Sequence, residues 1–596
     1  MILIGVAVAA IVQVGPRGDR SAMALAPGQL VTTTSARVTT DPEPFDETTT
    51  TSIPFTYRVG VLAGVSTDNF WAFYGEQPSV WNSYILGPTK PALFKVDPSS
   101  SELTPELAMT SVDPRQDSDE WVVELELRDE LAWSDGEPVT ADDIAFTYRT
   151  VRSLELDGSW ATSFPTSVVS VEAVSDYELR IAFTDRPSLA VWPHALGTAP
   201  IMAEHIWADE TAGLTAAELY ERSGVEDVYG GPLALVEVGE DVIVSVSNPG
   251  YPLETTPDTV EYQVFEDETS LVEALLQGRI DAVLTPTGLS AESRQMAEVG
   301  DSITVEVNPA NGVRYLGFNL ERQPMSDKAF RKALALLLDR TALVASMGDG
   351  SQVANSFVRD INSAWYDEEA ASTIAASYSG DLSSRLAKAM EGLDAAGYSW
   401  DEKPSISEDG SISAGAGLLI RGAPPAPLTI LTAGDSYDPA RPQYVAEIAD
   451  TLGLLGFDVR PVVTDFDTVV DLAFSEPDEG PRQYDMYFLG WTLGSPTLPD
   501  YYRPLFAPDG LMNNTGYNNT SFNESLTAYE SSATLEQARE HLWAMEHTLA
   551  DDLPYLLLYT TEIVEAYRSD RVQFGIQGNI GGIQARLGGI GDVKRP

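Results

Sequence analysis

The chain has 596 residues, 43% of them hydrophobic, and carries 90 acidic against 36 basic side chains for a net charge of −54. So negative a coat repels nucleic acid and anionic lipid, so neither is expected as a partner, while the apolar content is enough for a large core divided into more than one lobe. The absence of cysteine excludes disulfides, thiol catalysis, thiolate metal sites and a lipidated cysteine tether.

In chain order, residues 1–16 are uncharged and apolar. That run is short for a membrane span and suits a signal-peptide core or a short membrane anchor. Residues 17–54 form a Thr/Pro-rich stretch (TTTS, TTDPEP, ETTTTS) with too few apolar residues to offset chain entropy, so a flexible stalk is expected. The run from Phe55, FTYRVGVLAGV, reads as a strand. After it, Asn69-Phe70-Trp71-Ala72-Phe73-Tyr74 packs four aromatics into five positions. On an extended loop they cannot all face one way, so Trp71 and Tyr74 are candidates for a ligand cleft, with core packing an equal alternative for Phe70 and Phe73.

From Trp121 to Val151 an alternating strand breaks at Asp135-Gly136, and Thr140 then caps a helix opening with Asp142 and Asp143. Gly suits a positive-φ turn position, Thr140 can accept from the free Asp143 amide, and the acids sit at the positive end of the helix dipole. Periodicity further predicts helices over Ser270–Leu276, Asp327–Ser346, Leu382–Ala396, Gln443–Leu455 and Leu535–Leu549. The helix from Asp327 would bury Phe330, Ala333, Leu334 and Leu337. Strands are predicted over Val242–Val246, Tyr315–Asn319, Leu428–Thr432 and Tyr484–Leu489. Such alternation implies an α/β architecture.

Several patterns carry little chemistry. His194, His205, His541 and His547 are too few for a His-rich metal site, and His541 and His547 are spaced off one helical turn, so all four read as structural. No metal and no cofactor are expected. Asn513, Asn518, Asn519 and Asn523 each open an N-x-S/T sequon, which matters only in a glycosylating host. Ser407 to Ile412 resembles a calcium-loop turn without its ligand spacing and reads as a hairpin turn. No Walker A motif occurs, so ATP hydrolysis would fall to a partner.

Leu127, Arg128, Asp129, Asp135, Gly136, Pro138, Thr140, Ala141 and Asp143 fall in the pattern L-R-D-x-x-x-x-x-D-G-x-P-x-T-A-x-D. This resembles the signature of the peptide-binding family of ABC-importer receptors, solute-binding protein family 5. Further ordered resemblances are Pro91 to Phe94 with Thr104 to Ala108, Gly231-Pro232 with Asn248 to Tyr251, and Gln277 to Ala282. Tyr315 to Asn319 with Phe330 to Leu334 and Asp339-Arg340, then Tyr484-Asp485 with Gly490-Trp491, and finally Asn513 to Phe522 and Leu553 to Tyr555 complete the series over residues 55–567.

The resemblance implies a two-lobed periplasmic-binding-protein-like fold (type II, cluster C) with an inserted subdomain and a ligand cleft between lobes. One lobe would combine 55–90, 228–300 and 535–596, with 91–227 inserted; the other would span 301–534. It further implies an extracytoplasmic monomer that delivers a peptide or other oligomeric solute to an ABC permease and its ATPase. In peptide receptors of the family, a Trp followed three residues later by Asp stands at the cleft, its carboxylate pairing with the peptide's α-amino group. Here Trp491 is present, but Gly494 stands where that Asp would be, and Asp500 comes several residues later. A different anchor or solute class is therefore expected. Trp491 is the leading ligand-binding candidate, with a core role as its alternative, and Tyr315 and Asn319 are weaker ones. Two readings compete: a carboxylate-dependent hydrolase, which 90 acids make cheap to postulate, and a non-transport sensor of the same fold.

Overall fold

A computed structural model describes residues 54–75, 79–97, 100, 102–253, 257–347, 350–407, 411–434, 440–474, 482, 484–493, 497–575, 578–585, 590–591 and 593–596. The expected signal or anchor segment and nearly all of the expected stalk lie outside these residues. The fold is mixed α/β. Its spine is a ten-stranded sheet in the order Val459–Thr464, Leu428–Ala433, Met486–Thr492, Ile303–Phe318, Tyr555–Arg568, Ala282–Val283, Thr56–Val61, Thr259–Val264, Val242–Ser247 and Leu233–Val238. A separate four-stranded antiparallel sheet is built from Arg115–Asp117, Glu120–Glu126, Glu178–Phe183 and Val168–Ser175.

At the centre of the spine two long strands, of 16 and 14 residues, run antiparallel. Their ladder is regular from Ile303↔Arg568 to Pro309↔Glu562, skips residues 310–312 in a bulge, resumes at Val313↔Thr560 and slips again between Arg314 and Tyr315, while Gly312 stays paired with Thr492 of the neighbouring strand. Core clusters change at that bulge. Val313, Tyr315, Leu316, Phe318 and Leu553 to Tyr559 pack with residues of the 325–549 region. Ala566, Tyr567 and Phe574 pack with residues of the 57–297 region.

Most predicted elements appear within a few residues of their expected ends. Two differ in kind. The helix expected over Asp327–Ser346 is two helices, Lys328–Leu337 and Arg340–Met347, because Leu338 is extended (ψ 125°) and Arg340 turns inward. The strand expected over Tyr315–Asn319 is the end of the long Ile303–Phe318 strand, whose first half alternates too weakly to be read. The segment Asn69–Tyr74 is not an extended loop: Phe70–Gly75 is a short helix. The helix Leu535–Asp552, grouped by resemblance with residues 55–90, contributes Ala538, Leu542, Met545 and Leu549 to the same cluster as Tyr315 and Trp365. The Ser407–Ile412 hairpin does form, with Ser405–Ile406 paired to Ile412–Ser413; its turn residues 408–410 lie outside the described residues.

The motif residues act mainly as glue. Gly136 takes φ +94°, as its turn requires. Asp143 accepts from the Thr140 amide at 2.9 Å in a reciprocal capping box, and also from Trp133 Nε1 at 3.2 Å and the Glu204 amide at 2.8 Å. One carboxylate thereby ties a helix start, an indole and the start of a second helix. His205 pairs with Asp135 at 2.9 Å. In the second motif Arg331, only 5% exposed, donates Nε (2.9 Å) and Nη2 to the Asp552 carbonyl, where left-handed Leu553 (φ +51°) ends a helix, and Nη1 to Met325 O at 2.6 Å. Arg340 reaches Ala354 O at 2.8 Å and Leu557 O at 2.9 Å. Gly317 is obligatory because a Cβ there would lie 2.1 Å from the Tyr487 ring.

On the Thr56 side of the bulge, the loop 578–584 closes over the crossing. Gly578 N donates to Asn308 Oδ1 and Gly581 N to Pro309 O, both at 2.8 Å. Glu565, 3% exposed, accepts from Asn308 Nδ2 and Ile583 N at 2.8 Å and from Gln584 N at 3.2 Å. Burial, with Glu306 directly opposite across the ladder, pushes the Glu565 carboxyl up to about 7 despite those donors.

Two outcomes are expected. Arg331→Ala leaves buried carbonyls without donors and should cost about 2–4 kcal/mol, seen as a lower thermal midpoint that Arg331→Lys does not restore. For Glu565 the folded pKa lies above the unfolded one, so the native chain holds a proton that the unfolded chain has released. The stabilisation from that proton is complete below about pH 4.5 and lost as pH rises through 7, by roughly 3 kcal/mol at most. Melting curves of wild type and Glu565→Gln from pH 5 to 8 should diverge across that window; parallel curves would show that the carboxyl does not titrate there.

Candidate functional site

Beside the bulge, three strands deliver aromatic side chains to one face. Val313 pairs with Trp491 and Tyr315 with Leu489 on one side, and Tyr315 with Leu557 on the other. Alternation along the Ile303–Phe318 and Met486–Thr492 strands sets Tyr315 and Trp491 side by side. Tyr315 stacks between Tyr555, at a ring separation of 3.9 Å, and Trp491, at 6.3 Å and 11° between planes. Phe474 meets Trp491 edge-on at 5.7 Å. Tyr315 is fully buried, whereas Trp491 is only half-buried, so the stack runs from the core to the surface.

Below the rings lies a polar floor. Asn514 Oδ1 accepts from Tyr487 at 2.6 Å and from Tyr555 at 2.8 Å. Burial pushes the Tyr555 hydroxyl up to about 12 and those of Tyr315 and Tyr487 well above their usual value, so all three remain neutral donors. Flanking the bulge, Arg359 binds Glu562 Oε1 through Nη1 and Nη2, both at 3.2 Å, and Thr561 O at 3.1 Å. Both side chains are nearly excluded from solvent, at 3% and 7% exposure. Such a pair is costly to break, since either partner alone would be an uncompensated buried charge. Asn311 Nδ2 donates to Leu493 O at 3.2 Å, and the Leu493 amide donates to Asn311 O at 2.7 Å, tying the end of the Trp491 strand to the bulge.

The six sequence candidates fall in different places. Trp491 and Tyr315 come together at the crossing. Gly494 lies outside the described residues. Trp71 is fully buried among Trp160 (4.7 Å), Trp207 (6.1 Å) and Phe146 (6.5 Å). Tyr74 packs on Trp160 at 4.7 Å, and its hydroxyl meets Ser163 Oγ at 2.9 Å. Asn319 is buried at the far end of its strand, with Nδ2 on Tyr484 O at 2.9 Å and its amide on Asp485 O at 3.0 Å, so it fixes a turn. Asp500 is exposed. Sequence reasoning did not single out Arg359, Glu562, Asn514 or Tyr555 for this site. Of these Asn514 and Tyr555 lay within quoted motifs, and a buried Arg–Glu pair 203 residues apart leaves no local signal.

Among the described residues, no helix is long and apolar enough to cross a membrane. Comparison with solved structures places the fold. The oligopeptide-binding protein AppA from Bacillus subtilis, in complex with a nonapeptide, aligns with a TM-score of 0.58 at 20% identity over 91% of this chain and all of that one. The periplasmic EDTA-binding protein EppA aligns at 0.67 and 19% identity, over 90% of this chain and 96% of that one. In sequence, oligopeptide-binding protein AppA of Bacillus subtilis (strain 168) is 23% identical over 449 residues, 73% of this chain and 75% of that protein. The peptide transport periplasmic protein SapA of Salmonella typhimurium is 22% identical over 511 residues, 80% and 82% of the two. The model of the bacterial extracellular solute-binding proteins, family 5, matches residues 102–513, more than half of the chain, which therefore belongs to that family.

Proposed function

We propose that this protein is the extracytoplasmic receptor of an ABC importer. It takes a peptide or other oligomeric solute into a cleft beside the two crossing strands and hands it, unchanged, to a permease driven by an ATPase. The observation that carries this reading is the geometry of the crossing, where a half-buried Trp491 caps an aromatic stack at the bulge between two sets of core clusters. A ladder whose register slips between Pro309 and Tyr315 is a natural hinge, and a ring beside it meets solute as the lobes close. In this reading one lobe holds residues 55–90, 228–300 and about 566–596 with 91–227 inserted, and the other runs from about 313 to 559, taking in the helix Leu535–Asp552.

The names of the relatives AppA and SapA favour a peptide, and their being binding proteins favours a chain without catalysis. The position of Gly494 argues for an anchor other than the usual Asp for the solute's amino end. Recognition then rests on the aromatic surface and on main-chain pairing, which bind an extended solute with little regard to its side chains.

The test is a thermal-shift panel of di- to octapeptides, their N-acetylated forms, oligosaccharides and polyamines against the full chain. A solute at a hundredfold excess over its Kd adds about 2.7 kcal/mol, enough to move the midpoint visibly. Free and acetylated peptides are expected to stabilise alike. A shift by free peptides only would show that another acid anchors the amino group, and a shift by sugars or polyamines alone would replace the peptide reading. Trp491→Ala should weaken the best solute at least tenfold while lowering the unliganded midpoint less than Tyr315→Ala does, because only Tyr315 is fully buried. Equal unliganded losses would make Trp491 a core residue.

A further inference from the structure

Away from the crossing strands, a second contact joins the 91–227 segment to the 313–559 region. Leu189 N donates to the Ser532 carbonyl at 2.8 Å, and the Leu189 side chain packs against the cluster that holds Trp365, Tyr529 and Leu498.

Both sides of this contact are rigidly held. On the Leu189 side, the amides of Val191 and Trp192 donate to Ser188 O at 3.0 and 2.9 Å, and His194 N donates to Leu189 O at 3.2 Å. The Trp192 ring is buried edge-on to Phe94 at 5.6 Å, with Nε1 on Val112 O at 3.0 Å. The turn is thus pinned to the four-stranded-sheet side and presents Leu189 outward. On the other side, Ser532 ends the helix Thr520–Ser531, where carbonyls lack intrahelical donors. Its amide bonds Tyr529 O at 3.1 Å and its hydroxyl bonds Ala528 O at 2.8 Å. The same cluster braces the chain that follows Trp491: Trp365 Nε1 donates to Thr497 O at 2.9 Å and Tyr529 Oη to Pro499 O at 2.8 Å.

We propose that Leu189 is the closing latch of this receptor, a positioning residue that seats on the opposite lobe when the lobes close and, through the shared cluster, steadies the segment following Trp491. The inference rests on the two-lobed receptor reading above. A contact made only in the closed form shifts the open–closed equilibrium and so the apparent affinity, although Leu189 touches no solute. Its loss should act on the dissociation rate, since it opens the closed form without altering the solute's own contacts.

The chain has no cysteine, so a Leu189→Cys/Ser532→Cys double variant would carry the only two thiols. In mild oxidant, the cross-link is expected to form several-fold faster with the di- to octapeptide pool than without it. The oxidised, solute-free protein should have a smaller radius of gyration than the reduced form. Leu189→Ala should raise the dissociation rate of the tightest-binding peptide roughly tenfold, with an unchanged unliganded melting midpoint. A cross-link that never forms, or that forms equally fast with and without a pool that stabilises wild type, would overturn the latch, and so would equal radii for oxidised and reduced protein. If no member of the pool shifts wild type, the peptide reading fails instead, and the comparison of radii still decides the latch.

Discussion

The rest of the structure depends on the antiparallel pairing of Ile303–Phe318 with Tyr555–Arg568. These two strands make one continuous sheet out of what would otherwise be separate cores. A ladder of backbone hydrogen bonds resists shear, so motion between the two proposed lobes would concentrate where its register slips, between Pro309 and Tyr315. Each side of that interruption is braced independently. Towards Tyr555, Gln352 and Ala354 bond to the outer edge of the strand, and Arg359 holds Glu562 and Thr561 O. Towards Arg568, the Leu289 amide bonds Val564 O, and the loop 578–584 closes over Asn308, Pro309 and Glu565. Braced ends on either side of a slip in register are what a hinge between the two proposed lobes would require.

How much of this the sequence reveals depends on the range of the interaction. Local chemistry was legible: the Asp135-Gly136 turn, the Thr140 cap with its acids and the amphipathic helices stand where composition and periodicity put them. Trp491 and Tyr315 were candidates only through ordered resemblance, and nothing in the sequence set them side by side. Long-range burial was not legible. Trp71 and Tyr74 looked like a cleft surface because four aromatics in five residues overload an extended strand, but on a short helix Trp71 reaches Trp160 and Trp207 and Tyr74 reaches Trp160, whose positions no spacing gives. Asn319 was a weaker candidate, and it lies just past the end of a strand whose register slips near its middle and whose weak alternation hid half its length. The break at Leu338 was equally hidden: Arg340 leaves the helix face for carbonyls of residues 354 and 557, which no 3.6-residue pattern records.

The strongest sequence signals turn out to mark scaffold rather than site. Asp143 joins three elements, Arg331 closes a helix end, and Gly317 makes room for Tyr487. Each is intolerant of substitution because a buried polar group or a sub-contact distance would be left behind. The proposed site rests on the half-buried Trp491 and a segment after it that contacts its neighbours through carbonyls of Thr497 and Pro499. Backbone contacts constrain side-chain identity weakly. Residues that hold the fold are thereby separate from those that would meet a solute at the proposed site.

The same division bears on charge. The excess of acids would suggest that any cation near the crossing is held for an anionic solute. The buried arginines argue otherwise. Arg331 directs its donors to the carbonyls of Asp552 and Met325, Arg340 to those of Ala354 and Leu557, and Arg359 to Thr561 O and the Glu562 carboxylate. Diverting any of them to a solute would strip donors from buried acceptors, at a cost that offsets what the new bond to the solute contributes. The tyrosine hydroxyls beneath Trp491 are held neutral by burial, and two of them are committed to Asn514. With these three arginines tied up and these hydroxyls neutral, the proposed site would offer a solute ring surface and main chain. In the proposed reading those groups would select an extended solute by shape and backbone rather than by charge, so that a chain with a net charge of −54 could present a site that does not depend on that charge.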